Sequence, residues 1–307
     1  MSDPRNAAPA RKARTGLEAV GLAAAALILL WLLVLDPLLH PHDGALTDYA
    51  AAGAALREDI RDQEEISYVS FNTTEYNPIL GAAPIYGKIM QEAMAHDGSP
   101  AGGDHLAIGT ALTEVEYTQV PQKDGSDNLN MKLHLLYYTT PEQERELADK
   151  AAAILSELEL AGASEYEKAL AIYGYICSHV VYDYEHLEDE DYHLKSTAYA
   201  AALHGTAVCS GIADLFYYLA NSAGLDARIK TNDSHAWNYV RVDGRYYYAD
   251  ATWDLGRSPE EYAYFLKGAL DFTDHQGTLT VLPDTCVELL TNGFLEYDIA
   301  ATAYGTN

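Results

Sequence analysis

A thiol, an imidazole and a carboxylate follow one another as Cys209, His235 and Asp250, each in a local pattern suited to nucleophilic chemistry. After Cys209 the apolar residues Ile212, Leu215, Phe216, Leu219 and Ala223 recur at the spacing of one helical face, and Gly224 is a natural stop. Just upstream, Ser196 is the expected N-cap of a shorter helix over Thr197–His204, ended by Gly205. Cys209 is therefore predicted in the first turn of its helix. There the unpaired N–H groups and the positive end of the helix dipole favour thiolate, the reactive form of cysteine.

His235 and Asp250 are placed by counting. The runs Trp237–Val242 and Arg245–Asp250 read as strands, and the Asp243-Gly244 pair between them is a strong two-residue hairpin signal. That turn sets Val242 opposite Arg245, Trp237 opposite Asp250 and His235 opposite Thr252. His235 and Asp250 then become diagonal neighbours on one face, roughly 7–8 Å apart at the backbone, so their side chains can meet. A carboxylate on one ring nitrogen fixes the imidazole tautomer and leaves the other nitrogen to take a proton from Cys209.

The run Val208-Cys209-Ser210-Gly211, a helix, His235-Ala236-Trp237-Asn238, Asp243-Gly244, Tyr246-Tyr247 and Asp250-Ala251-Thr252-Trp253-Asp254 resembles the transglutaminase-like superfamily of papain-type thiol enzymes. The likeness covers roughly Leu147 to His275. Tyr182-Asp183 also resembles family members, and Tyr264-Phe265-Leu266 and His275 resemble the bacterial ones. The resemblance implies an α+β fold, with the nucleophile helix packed against an antiparallel sheet. It also implies Cys209 as nucleophile, His235 as general base and Asp250 as the group that orients it. The chemistry is amide-bond cleavage through an acyl-enzyme and needs no cofactor. Tissue-type transglutaminases carry Trp directly after the nucleophile, whereas Ser210 stands here, which puts hydrolysis ahead of amine transfer. The expected oxyanion hole uses the Cys209 N–H and a side-chain donor from upstream, for which His204 and Tyr199 are candidates. Two other readings stay open: a zinc site built from the same three residues, and a silent module that keeps the fold for binding.

Several elements must hold these groups in place. Thr140-Pro141-Glu142-Gln143 starts one helix, with Leu147, Ala151, Ile154, Leu155 and Leu158 on its apolar face. Ser164-Glu165-Tyr166-Glu167 starts a second, which carries Cys177 as a buried thiol. The acidic run Tyr184–His193 between helix and nucleophile lacks the glycine of an EF-hand loop; it reads as a solvated loop and a rim for substrate selection. Upstream, a helix over residues 44–65 suggests a stalk. It is followed by a strand at Tyr68–Phe71, a helix at Pro84–His96, a Gly-rich loop at Asp97–Asp104, and strands at Leu106–Val120 and Leu129–Thr139.

Charge and composition bound the partners. A net charge of −27 excludes nucleic acid and adhesion to anionic lipid, and the 24 tyrosines are expected in strands and core. Three cysteines, Cys177, Cys209 and Cys286, are too few for a disulfide scaffold, and a Cys177–Cys286 bridge is left undecided. Arg5, Arg11, Lys12 and Arg14 precede an apolar run from Ala19 to Leu35, and no Lys or Arg follows until Arg57. This asymmetry predicts a signal anchor with its tail in the cytoplasm and the remainder outside, a cleaved signal peptide being the alternative. The expected divisions are a tail (1–18), a membrane span (19–39), a stalk and accessory region (40–140), the catalytic domain (141–275) and a C-terminal extension (276–307). The expected substrate is a protein or peptide, of cell-wall or surface origin.

Overall fold

The computed structural model describes residues 45–232, 234–275 and 298–306. Its first part is a three-stranded antiparallel sheet backed by helices. Strand β1 (Ile66–Thr73) and strand β2 (Thr110–Pro121) flank strand β3 (Asp127–Tyr137). The alternation in β3 sends Leu129, Met131, Leu133 and Leu135 into the core, as a period of two requires. Helices α1 (Tyr49–Arg61) and α2 (Ala83–Ala93) cover that face with Leu56, Ile60, Ile85 and Ile89. The Ala-rich segment thus belongs to the core of this layer.

One expected boundary moves. Strand β2 begins at Thr110 rather than Leu106, because Asp104–Gly109 forms a short helix, α3. The reason is tertiary. Asp104 accepts from Arg228 Nε at 2.8 Å, Arg228 Nη2 at 2.7 Å and the Ile229 N–H at 2.7 Å. His105 is held between Asp214 at 2.9 Å and Glu144 at 3.0 Å. Capture of two adjacent side chains by other elements overrides the strand tendency of the segment.

The second part holds the three candidate residues. Helices α4 (Pro141–Glu157) and α5 (Glu165–His179) both begin with full capping boxes, Thr140 with Gln143 and Ser164 with Glu167. A two-residue parallel ladder pairs β4 (Val181–Tyr182) with β5 (Thr206–Ala207), directly before helix α6 (Cys209–Ser222). Strands β6 (Ala227–Thr231), β7 (Ala236–Val242) and β8 (Arg245–Ala249) form an antiparallel sheet in that order. Helix α6 is the core element, buried at every residue from Gly211 to Asn221. Ile172, Tyr173, Ile176, Val240 and Val242 form one cluster with its own Leu215, Phe216 and Leu219. The result is the mixed α+β architecture expected, with the Cys209 helix against an antiparallel sheet.

The helix expected over Thr197–His204 forms over residues 198–204, with π-helical pitch for most of its length and a separate turn before it. A 3₁₀ turn covers His193–Ser196 and a π-helical turn covers Ala200–His204, ended by Gly205 at φ 69°. Cys177 is a free buried thiol, raised to about 12 by burial and by Asp254 nearby. Cys286 and the predicted span 19–39 lie outside the described residues. Among the described residues no helix is long and apolar enough to cross a membrane.

Candidate active site

Cys209 is the first residue of α6, preceded by the extended residue Val208, whose side chain makes no capping bond. The first-turn N–H groups beside the thiol are therefore open to other acceptors. Gly211 explains the tightness of this turn: a Cβ there would lie 2.8 Å from Thr197 O and 2.9 Å from both Lys195 O and Thr197 N. The Lys195–Thr197 backbone presses on the helix start, and only glycine admits it. Val208 N–H donates to Lys195 O at 3.0 Å, which fixes the approach to Cys209 from the same strap.

The base and its carboxylate come from the hairpin. Asp243 and Gly244 have φ of 51° and 82°, the two positive values that a type I′ turn needs. The register pairs Val242 with Arg245 and Asn238 with Ala249, as the two-residue turn requires. His235 then reaches Asp250 across the diagonal, Nε2 to Oδ2, at 2.7 Å. A carboxylate only accepts, so Nε2 carries the proton and Nδ1 is the nitrogen left to serve Cys209, whose thiol lies within hydrogen-bonding reach of the ring. Burial alone would push the His235 imidazolium down, but the bonds to Asp250 and Cys209 outweigh it and raise the group to about 9. Asp250 is itself buried, which opposes its charge, yet His235 and His275 hold its carboxyl below the usual range.

Asn238 and Asp254 are the tethers of this arrangement. Asn238, 1% exposed, donates through Nδ2 to Ala213 O at 2.9 Å and Arg228 O at 3.2 Å. It ties the strand carrying the base to the helix carrying the thiol. Asp254 accepts from the N–H of Ala263 at 2.9 Å, the N–H of Tyr264 at 2.8 Å and the Tyr173 hydroxyl at 2.7 Å. It thereby folds the chain after Trp253 back over the site. Trp237 and Trp253 flank the His235 ring at 5.8 and 5.5 Å between centroids. They shield the imidazole from water.

Both candidates read from the sequence for the upstream donor have other partners. Tyr199 donates to Glu146 at 2.8 Å, and His204 packs edge-on against Tyr199. Tyr182 on β4 lies beside the nucleophile instead, its hydroxyl interacting with the thiol and accepting from the backbone N–H of Cys209. Burial first, then Cys209, pushes that phenol up to about 12, so it stays a donor through the neutral range. The signal was present in Tyr182-Asp183, but nothing in the sequence shows that β4 pairs with the two residues leading into Cys209.

His275 was noted only for its place in the motif. Its Nε2 bonds the same Asp250 oxygen at 2.8 Å, and the facing atoms of His235, Asp250 and His275 lie within 4.8 Å of one another. These side chains could hold a metal ion, and the set differs from the Cys209, His235 and Asp250 zinc site considered above. Two N–H···O bonds to one carboxylate oxygen already account for the spacing.

A thiol at a helix start, an imidazole beside it and a buried carboxylate behind the imidazole define a papain-like arrangement on an α+β fold. Residues 152–251 match the model of the transglutaminase-like superfamily, and this part of the chain is a transglutaminase-like domain. A stretch of 119 residues is 29% identical to the kyphoscoliosis peptidase of Mus musculus, covering 34% of this chain and 18% of that protein. A crystal structure of a TGase is similar over 56% of this chain and 51% of its own, at 21% identity and a TM-score of 0.33. The chain thus spans about a fifth of the peptidase and about half of the TGase.

Proposed function

We propose that this protein is a thiol enzyme that acts on amide bonds of proteins or peptides, with Cys209 as nucleophile, His235 as base and Asp250 as orienting group. The observation that carries the reading is His235 itself, bonded to Asp250 through Nε2 and beside the Cys209 thiol. His235 Nδ1 takes the thiol proton as Sγ attacks the carbonyl carbon. The developing oxyanion meets the Cys209 N–H and the Tyr182 hydroxyl. The imidazolium then gives its proton to the departing amine, leaving a thioester. Water, deprotonated by the same imidazole, cleaves the thioester and releases the acid. Ser210 after the nucleophile favours water over an amine as acceptor. The basic tail before the apolar run Ala19–Leu35 supports an anchored, extracytoplasmic enzyme whose substrates are surface or wall peptides.

Alkylation of Cys209 against pH tests the reading. An ordinary thiol titrates near about 8.5. The expected result is a rate already high near pH ~6, lowered at that pH by His235→Ala and unchanged by a chelator. A profile that follows an ordinary thiol in both proteins would leave a binding module. Inhibition relieved by the chelator would point to a metal on His235, Asp250 and His275.

Tyr182→Phe separates binding of the oxyanion from activation of the thiol. Alkylation creates no oxyanion, so its rate is expected to stay within about threefold, while turnover of a peptide amide falls about 10²–10³-fold. Equal losses in both assays would make Tyr182 a structural residue.

A further inference from the structure

We propose that His275 is a positioning residue that restrains how strongly Asp250 holds His235, through a second N–H shared on the same carboxylate oxygen. The inference rests on the thiol-enzyme reading and deepens it. Asp250 Oδ2 accepts from His235 Nε2 at 2.7 Å and from His275 Nε2 at 2.8 Å, and Oδ1 accepts from the Thr252 N–H at 2.9 Å. Both lone pairs of Oδ2 are thus engaged, and the carboxylate plane is fixed from three directions.

His275 is itself held firmly. Its other nitrogen, Nδ1, bonds Asp274 Oδ1 at 2.9 Å, and Asp274 Oδ2 accepts from the Tyr264 hydroxyl at 2.9 Å. The ring stacks on Phe272 at 3.7 Å and lies 4.1 Å from Trp253 between centroids. The charged and titratable groups around the pair are Asp250, Cys209 and, through Cys209, Tyr182 on the His235 side, with Asp274 and Tyr264 on the His275 side. A side chain serving only to fill space would not need both nitrogens directed at carboxylates.

The consequence is electrostatic. A carboxylate oxygen that accepts one N–H concentrates its charge on that donor, whereas one that accepts two divides it. Loss of the His275 donor should tighten the hold of Asp250 on the His235 imidazolium. The imidazolium would then persist to higher pH and release its proton less readily to a leaving amine.

The test is inactivation of the full-length protein by iodoacetate from about pH 5 to about pH 10, where the anionic reagent requires imidazolium beside thiolate and the rate is bell-shaped. His275→Phe keeps the ring contacts with Phe272 and Trp253 but removes both N–H groups; its alkaline limb is expected to move up by about one pH unit. His275→Gln restores one of those N–H groups, near the position of Nε2, and should bring the limb at least halfway back to the parent. Equal behaviour of the two variants, or no movement in either, would overturn the proposal. Should the Phe variant fail to fold, ring ¹⁵N shifts of the unaltered protein decide instead. Protons on Nε2 of both His235 and His275 support the proposal, and a His275 bare at Nε2 overturns it. A parent protein with no bell at all would sink the thiol-enzyme reading first, and this inference with it. A parent bell that His275→Phe leaves unmoved sinks this inference alone.

Discussion

Asp250→Asn is expected to lower amide turnover by about 10³–10⁴-fold and to return Cys209 alkylation at pH ~6 to the rate of an ordinary thiol. The argument is one of tautomers. In the native site the carboxylate only accepts, so His235 must carry its proton on Nε2 and present Nδ1 bare to the thiol. Asparagine can keep its carbonyl oxygen on the Thr252 N–H, the bond that Asp250 Oδ1 makes at 2.9 Å. Its NH₂ then faces His235 and His275, where a single oxygen had accepted from both. His235 is driven to the Nδ1–H tautomer, and the nitrogen beside Cys209 can no longer receive a proton. The fold should survive, since the substitution is isosteric, and far-ultraviolet circular dichroism is the control. Turnover within tenfold of the parent would show that Asp250 serves structure and not the base.

The same hairpin shows why part of this site was legible in the sequence. Strand pairing has a period of two, and Asp243-Gly244 fixes the register, so counting alone set His235 on the diagonal from Asp250. The helix of Cys209 was equally open to reading, because its apolar spacing follows from packing on a sheet. What counting could not reach are contacts between segments with no periodic relation. Tyr182 meets Cys209 only because β4 pairs in parallel with β5, a ladder two residues long that has no sequence signature. His275 stands 25 residues from Asp250 along an irregular segment, folded back by the N–H groups that Asp254 captures. Asp104 reads as the end of a loop and His105 as a join between loop and strand; their partners, Arg228, Asp214 and Glu144, lie on three later elements. Gly211 reads as a helix residue, and its purpose appears only once the Lys195–Thr197 backbone is seen against it.

His105→Leu is expected to destabilise the protein by about 3–5 kcal/mol, the effect of removing one member of a buried ionic group. For a domain of this size that corresponds to roughly 6–20 °C in Tm. His105 bonds Asp214 on α6 through Nδ1 and Glu144 on α4 through Nε2. Asp214 in turn accepts from the Ala198 N–H at 2.8 Å, and Glu144 accepts from Thr139 Oγ1 at 2.5 Å. Without the imidazolium, the buried Asp214 and the half-buried Glu144 carboxylates face one another with no cation between them. Burial by itself would lower the His105 imidazolium, but the two carboxylates overcome it and raise the group well above its ordinary value. Because the folded value is raised, the contribution is complete below the unfolded value of about 6.5 and is lost only as pH climbs through the folded one. The His105 ring resonances should therefore titrate well above those of an exposed histidine, which titrates near about 6.5. Arg145→Ala is the contrast: its pair with Glu142 is exposed on both sides, and its loss should change stability by less than about 1 kcal/mol. Thermal melts of the two variants at pH ~6.5 check the difference. Equal, small shifts would mean that the His105 group is no firmer than a surface pair. The expected gap matters for the site as well, since Asp214 lies on the helix that begins at Cys209, and the group that grips it ties the first layer of the fold to the nucleophile.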